Sequence, residues 1–170
     1  MAVALDKLKP QFAQADVLRL VPSLRAKSLQ NWIERGIVET PRRPRGKQGK
    51  GFYHYYPVIG VIMLAFMAEA VLTCNIPPRA ARRMAEDVID RAIELWKKYG
   101  DEIVSGNVID PRERGDAQRM HIIYVPSADD YIVQKVGGLV SIAVEVDLLI
   151  FGVFNRINKF LHEQGEQQWQ

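Results

Sequence analysis

Two groups of side chains in the first third of the sequence have the chemistry that recognises nucleic acids. The first group is a run of polar and basic residues at helical spacing, Arg25, Lys27, Ser28, Gln30 and Asn31. Arginine can donate two parallel hydrogen bonds to guanine, and asparagine or glutamine can pair in the same way with adenine. The run therefore predicts a helix that enters the major groove of double-stranded DNA.

The second group is a basic segment between residues 41 and 51, in which prolines and glycines exclude a helix. Its cations are Arg42, Arg43, Arg45, Lys47 and Lys50. Residues 37–40 precede this segment, and an aromatic, strand-like segment that contains Tyr53 and His54 follows it, so we expect two short strands joined by a basic tip. The tip would lie along DNA phosphates or enter the minor groove. Tyr53 and His54 alternate across the strand, and only one of them should face the DNA.

A third set of residues has the types, but not the spacing, of a metal-dependent catalytic site. His121 lies near Asp110, Glu113 and Asp116 in the sequence, but no metal-ligand motif connects them and arginines balance the acids. Cys74 is the only cysteine, which excludes an internal disulfide and argues against a thiolate-rich metal site. We therefore expect no catalytic residue, no metal and no cofactor.

The charge of the chain is unevenly distributed. Residues 1–60 carry 11 Lys and Arg against 4 Asp and Glu, a net +7, whereas the remaining residues carry 12 against 16, a net −4. The 170-residue chain is 48% hydrophobic, which is ordinary for a globular protein. A basic N-terminal part and a mildly acidic remainder indicate that only residues 1–60 contact a polyanion.

The elements of the first half follow from apolar spacing and from helix-ending residues. Phe12, Ala15, Leu18 and Leu20 predict a short helix that ends near Pro22. A second helix is expected at about 25–35, and Leu29, Trp32 and Ile33 form its apolar side. Gly36 fits the position just past its end, and Trp32 is expected to be a core residue. A third helix at 58–72 is apolar nearly all round and should be buried.

The second half is expected to contain one long helix, several strands and a final helix. An amphipathic helix is expected at 78–99, and the last helix at 147–163 has a wide apolar stripe that covers its own sheet or forms a subunit interface. Residues 100–120 are expected to form a linker or a loop, with or without a short strand at 103–109, and strands are expected at 121–125, 131–136 and 139–146. The last two would form a hairpin around Gly137 and Gly138.

Four blocks of sequence, in this order and spacing, resemble the DNA-binding domain of MerR-like transcription regulators. They are Ser-Leu-Gln-Asn-Trp at 28–32, Glu-Arg-Gly-Ile-Val at 34–38, Gly-Phe-Tyr-His-Tyr at 51–55 and Asn-Ile-Pro-Pro-Arg-Ala-Ala at 75–81. The resemblance covers residues 12–85 and implies a winged helix-turn-helix. Gln30 and Tyr53 depart from it, because the family often has arginine at both positions. Residues 100–170 match no family that we can name.

Together these patterns predict an α+β protein. A winged helix-turn-helix domain (1–76) would be followed by a connecting helix (77–100) and a small α+β segment (101–170) with a short antiparallel sheet and a terminal helix. The protein would be a transcription regulator that binds double-stranded DNA as a homodimer and has no enzymatic activity. It would be cytoplasmic and nucleoid-associated, without a membrane span, and the sequence does not identify an effector. The alternatives are a phage-type DNA-packaging protein of the small terminase kind, an excisionase-like architectural protein, and a protein-binding adaptor.

Overall fold

A computed structural model describes residue 8 and residues 11–39, 42–44, 52–105, 119–125, 130–136 and 144–164. For residues 42–44, 52–53, 119–125, 130–136 and 144–145 it describes the backbone only. Within these ranges the chain combines helices with two antiparallel sheets, so the α+β class is confirmed.

The first half builds two short helices beside a small sheet. Its elements, in chain order, are β1 (Gln11–Ala13), α1 (Gln14–Leu20), α2 (Ala26–Glu34), β2 (Arg42–Pro44) and β3 (Phe52–Pro57). The sheet is antiparallel with β3 in the centre, since the strand order is β1-β3-β2. The predicted helix at 12–21 was wrong at its start, because Phe12 lies in β1 and pairs with Tyr56 of β3.

The helix boundaries follow from local chemistry. The Asp16 carboxylate accepts a hydrogen bond from the Ala13 amide at 3.1 Å, which satisfies a free donor at the start of α1. Pro57 directly precedes α3 (Val58–Ala68), and Pro78 opens α4 (Pro78–Val104). Proline suits these positions because a first-turn amide has no partner within the helix. A π-helical turn, Glu69–Thr73, continues α3.

The second half adds a separate sheet and the last helix. Its elements are β4 (Arg119–Val125), β5 (Asp130–Val136), β6 (Val144–Glu145) and α5 (Val146–Glu163). The strand order is β5-β4-β6, so β5 and β6 both pair with β4 and lie on opposite sides of it. The predicted hairpin between 131–136 and 139–146 was therefore wrong, although the predicted strand at 121–125 and the last helix are confirmed.

The predicted strand at 103–109 was also wrong where it can be compared. Ile103 and Val104 belong to α4, which continues past the predicted end at residue 99. Ile103 is buried, and its carbonyl accepts a hydrogen bond from the side-chain amide of Asn158 in α5 at 2.8 Å. Residues 106–109 lie outside the described part of the chain.

One hydrophobic core includes residues from both halves of the sequence. Helix α3 lies within it, and its residues from Val61 to Ala68 are all buried, which confirms the predicted central helix. Helix α5 packs against α1, α3 and α4. The apolar stripes of α4 and α5 are therefore covered by the chain itself, and the only large hydrophobic side chains exposed in the described residues are Leu72 and Val104. No helix in those residues is long and apolar enough to cross a membrane.

Candidate nucleic-acid interface

Helix α2 has one buried face and one exposed face. Leu29 is fully buried and Trp32 is 4% exposed, which confirms the predicted core role of Trp32. Lys27, Gln30 and Asn31 are exposed, and Ser28 is half-buried. Because a helix repeats every 3.6 residues, the buried side of α2 fixes which side chains are free to contact another molecule.

The end of α2 is fixed by a glycine and by backbone hydrogen bonds to Trp32. Gly36 has φ of +64°, a left-handed conformation that favours glycine, as the sequence predicted. The amides of Ile37 and Val38 both donate to the Trp32 carbonyl, at 2.8 and 3.3 Å. Val38 is buried in the core, so α2 is anchored beyond its last turn.

The exposed surface of α2 is mostly basic and carries one acidic group. Arg25 directly precedes the helix and Arg35 directly follows it, and both are exposed together with Lys27. The side-chain amide of Gln30 donates a hydrogen bond to the Glu34 carboxylate at 2.7 Å. Contact of Gln30 with a base would have to replace this bond, and Glu34 would repel a phosphate. The four-residue spacing of the pair was the sequence signal for this contact.

The predicted basic hairpin is described only through its two strands. Arg42 is opposite His54 and Arg43 is opposite Tyr53 in the antiparallel pair of β2 and β3. The side chains of Arg42, Arg43 and Tyr53 are not described. The first strand of the hairpin begins at Arg42 and residues 37–39 are not in a strand, so the predicted strand at 37–40 was wrong and Arg42 and Arg43 lie in β2 rather than in the tip. The other predicted tip cations, Arg45, Lys47 and Lys50, lie outside the described residues. The backbone thus brings the segments on either side of the tip together, as two paired strands require.

Strand β3 directs alternate side chains toward the core. Tyr56 is 1% exposed and lies opposite Phe12, and His54, two residues earlier on the same side of the strand, is half-buried. The Tyr56 hydroxyl has no hydrogen-bond partner among the described residues, and burial raises the pKa of Tyr56 to about 12. This strand therefore attaches the hairpin to the core through the buried Tyr56.

The structure contains two contacts of charged side chains that sequence reasoning missed. Arg91 of α4 binds Asp147 of α5, and Arg156 of α5 donates from Nε to the Leu20 carbonyl at 2.6 Å. No group of three or more His, Cys, Asp or Glu that could hold a metal lies in the described residues. The imagined cluster around His121 cannot be placed, because Asp110, Glu113 and Asp116 lie outside those residues and only the backbone of His121 is described.

Comparison of the chain with protein-family models gives no match, and comparison with curated proteins gives no similar sequence.

Proposed function

We propose that this protein binds double-stranded DNA sequence-specifically and regulates transcription, as the resemblance to MerR-like regulators implies. The observation that carries the proposal is the division of α2 into a buried side and an exposed polar side. Leu29 and Trp32 are in the core, whereas Lys27 and Asn31 are exposed toward the solvent that a major groove would replace. Gln30 is exposed as well and could reach a base edge by exchanging its hydrogen bond to Glu34. Arg25 and Arg35 extend the basic surface at the two ends of the helix, where phosphates would lie.

The paired strands β2 and β3 support a second contact with the DNA backbone. Their register places Arg42 and Arg43 at the end of the hairpin that leads into the basic tip. In a winged helix-turn-helix these cations would contact phosphates next to the groove that α2 enters. Such contacts add affinity without adding base specificity. The proposal includes no catalytic residue, metal or cofactor.

A homodimer remains part of the proposal, because one such domain reads only a few base pairs. The surface through which two copies make contact must differ from the apolar stripes of α4 and α5, which the sequence suggested as an interface. Helices α4 and α5 bury those stripes within the chain, at residues such as Trp96 and Phe154. A second copy would have to contact another part of the molecule, and the mass of the free protein and of its DNA complex measures the stoichiometry.

The test is the salt dependence of binding to a random-sequence duplex, followed by fluorescence anisotropy. Wild-type protein should bind with an affinity that falls steeply as the salt concentration rises, because the lysines and arginines of the protein displace counterions from the DNA. Lys27→Ala and Arg43→Ala should each weaken binding and reduce the slope of log affinity against log salt by about 1. Lys159→Ala, which removes an exposed cation from α5, is the matched control and should leave both unchanged. Binding that ignores salt would contradict the proposal.

A further inference from the structure

A cavity of about 490 Å³ lies between the turn after α1, helix α3 and helix α5. Its volume is within the range of small-molecule sites in proteins. It is lined by Val21, Pro22, Ser23, Ala65, Glu69, Cys74, Leu148, Leu149, Gly152 and Arg156. Neither the proposed DNA contact nor the hairpin uses any of these residues.

Arg156 supplies the cavity with a cation that is only partly hydrated. Its Nε donates to the Leu20 carbonyl, and this bond fixes the guanidinium against the end of α1. No other hydrogen bond or ion pair engages its two terminal nitrogens within the described residues. Burial lowers the pKa of Arg156, as expected for a charge without a counter-ion. An arginine remains protonated in proteins, so its charge can be balanced by an anionic ligand but not by loss of a proton.

Gly152 leaves room for the guanidinium to lie along the wall of the cavity. A Cβ atom at this position would come within 3.3 Å of Nη1 of Arg156, closer than most such contacts. Alanine at 152 would therefore push the guanidinium away from its present position. The absence of a side chain here and the bond to Leu20 together orient the free edge of Arg156.

The rest of the lining limits the kind of anion that fits. Val21, Ala65, Leu148 and Leu149 form apolar walls, which favour a ligand with an apolar body. Glu69 lines the same cavity and makes no ion pair with Arg156, so its carboxylate repels any anion and disfavours most strongly a ligand with more than one negative charge. A guanidinium binds a carboxylate through two parallel hydrogen bonds.

The terminal nitrogens of Arg156 have no partner among the residues that the structure describes, and they lie in a partly apolar cavity. We infer that the protein binds a small monocarboxylate with an apolar tail or ring there. The carboxylate pairs with the terminal nitrogens of Arg156, and the apolar part contacts the leucines of α5. This site is independent of the proposed DNA-binding function, and its test needs no DNA.

The test uses calorimetric titration of the full chain with hexanoate, its neutral isostere hexanamide, and acetate. Hexanoate should bind at least about tenfold more tightly than hexanamide, which lacks the charge, and more tightly than acetate, which lacks the apolar body. Equal affinities for hexanoate and hexanamide, or no binding of hexanoate, would overturn the inference.

Two substitutions assign any binding to this cavity. Glu69→Gln removes the opposing charge and leaves the bond between Arg156 and Leu20 intact, so it should strengthen hexanoate binding several-fold with little effect on hexanamide. Gly152→Ala should weaken hexanoate binding by displacing the guanidinium. Arg156→Met should abolish the preference for hexanoate, and its far-ultraviolet circular dichroism shows whether the variant folds. If none of the three changes the affinity for hexanoate, the carboxylate binds elsewhere and the assignment is wrong.

Discussion

Arg91 and Asp147 connect α4 to α5 through two hydrogen bonds with well-matched geometry. Nε and Nη2 of Arg91 donate to the two carboxylate oxygens of Asp147 at 2.9 and 2.7 Å. The Asp147 side chain is 2% exposed, and Arg91 also donates to the exposed Glu94 at 2.9 Å. The hydrogen bond with Asp147 is the main reason that the pKa of Arg91 is raised above its ordinary value. The pair thus fixes the position of the last helix on the long helix.

Removing the buried partner of this pair should destabilise the protein. Asp147→Ala removes the two oxygens that accept from Nε and Nη2 of the partly buried Arg91, and we expect a loss of roughly 3 kcal/mol in the free energy of unfolding. Urea denaturation followed by circular dichroism measures the change. Glu94→Ala is the matched control, because it removes an exposed carboxylate from the same arginine and should cost under about 1 kcal/mol. Equal effects of the two substitutions would show that the buried pair has no special role.

Tyr56 should make stability fall at high pH. Its phenol is neutral in both states below pH 10, the ordinary pKa of tyrosine, but between pH 10 and about 12 the unfolded chain ionises first. The contribution of Tyr56 to the free energy of unfolding is therefore fully present below pH 10 and is lost as the pH rises toward 12. Tyr56→Phe should remove this part of the decline, measured by urea unfolding at a series of pH values from neutral to alkaline.

The same substitution tests the hydroxyl at neutral pH. Because the Tyr56 hydroxyl is buried without a partner among the described residues, Tyr56→Phe should keep or increase the free energy of unfolding. Phe12→Ala, which removes the aromatic ring opposite Tyr56, should instead cost about 3–5 kcal/mol and shows that the assay detects packing in this sheet. A large loss with Tyr56→Phe would mean that the hydroxyl has a partner.

Glu34 should weaken DNA binding by the proposed α2 surface. Glu34→Gln removes its charge and keeps an oxygen that can accept from Gln30, so affinity for any duplex should rise by roughly two- to fivefold. Glu86→Gln removes an exposed carboxylate from α4 and is the control. Anisotropy titrations at fixed salt compare the two. An unchanged or lower affinity for Glu34→Gln would argue that α2 does not approach phosphates.

Glycine should be required at position 36, at the end of α2, because of its left-handed backbone conformation and not because a side chain would clash there. Nothing lies within 4 Å of a Cβ built at Gly36, so Gly36→Ala meets no clash, yet its φ of +64° should cost about 1–2 kcal/mol. Gly36→Asn should cost less, since asparagine tolerates this conformation better. Urea unfolding of both variants measures the difference, and equal stability of Gly36→Ala and wild type would contradict the account.

Local patterns were sufficient to predict the helices, apart from the start of α1 and the end of α4, and to predict which side of α2 is buried. The spacing of Leu29 and Trp32 predicts which side of α2 is buried, and a helix then leaves Gln30 and Asn31 exposed. The same reasoning predicts the burial of α3, since a segment that is apolar all round has no side to present to water. These features depend on residues within a few positions of one another.

Features that depend on distant residues could not be predicted in this way. Gly137 and Gly138 suggested a hairpin, but β5 and β6 both pair with β4, and strand alternation does not say which strands become neighbours. The bond between Arg91 and Asp147 joins residues 56 positions apart, and neither one is distinctive in the sequence. Strand β1 has three residues, too few for a periodic pattern.

Selection of duplexes from a random-sequence pool, with wild-type protein and with Asn31→Ala, tests the DNA-reading role of α2 most directly. Wild-type protein should enrich a recurring sequence, and Asn31→Ala should lose about 1–3 kcal/mol of affinity on that sequence while keeping its affinity for unrelated duplexes. If no sequence is enriched, or if Asn31→Ala selects the same sequence with unchanged affinity, α2 does not read bases and the central claim is wrong.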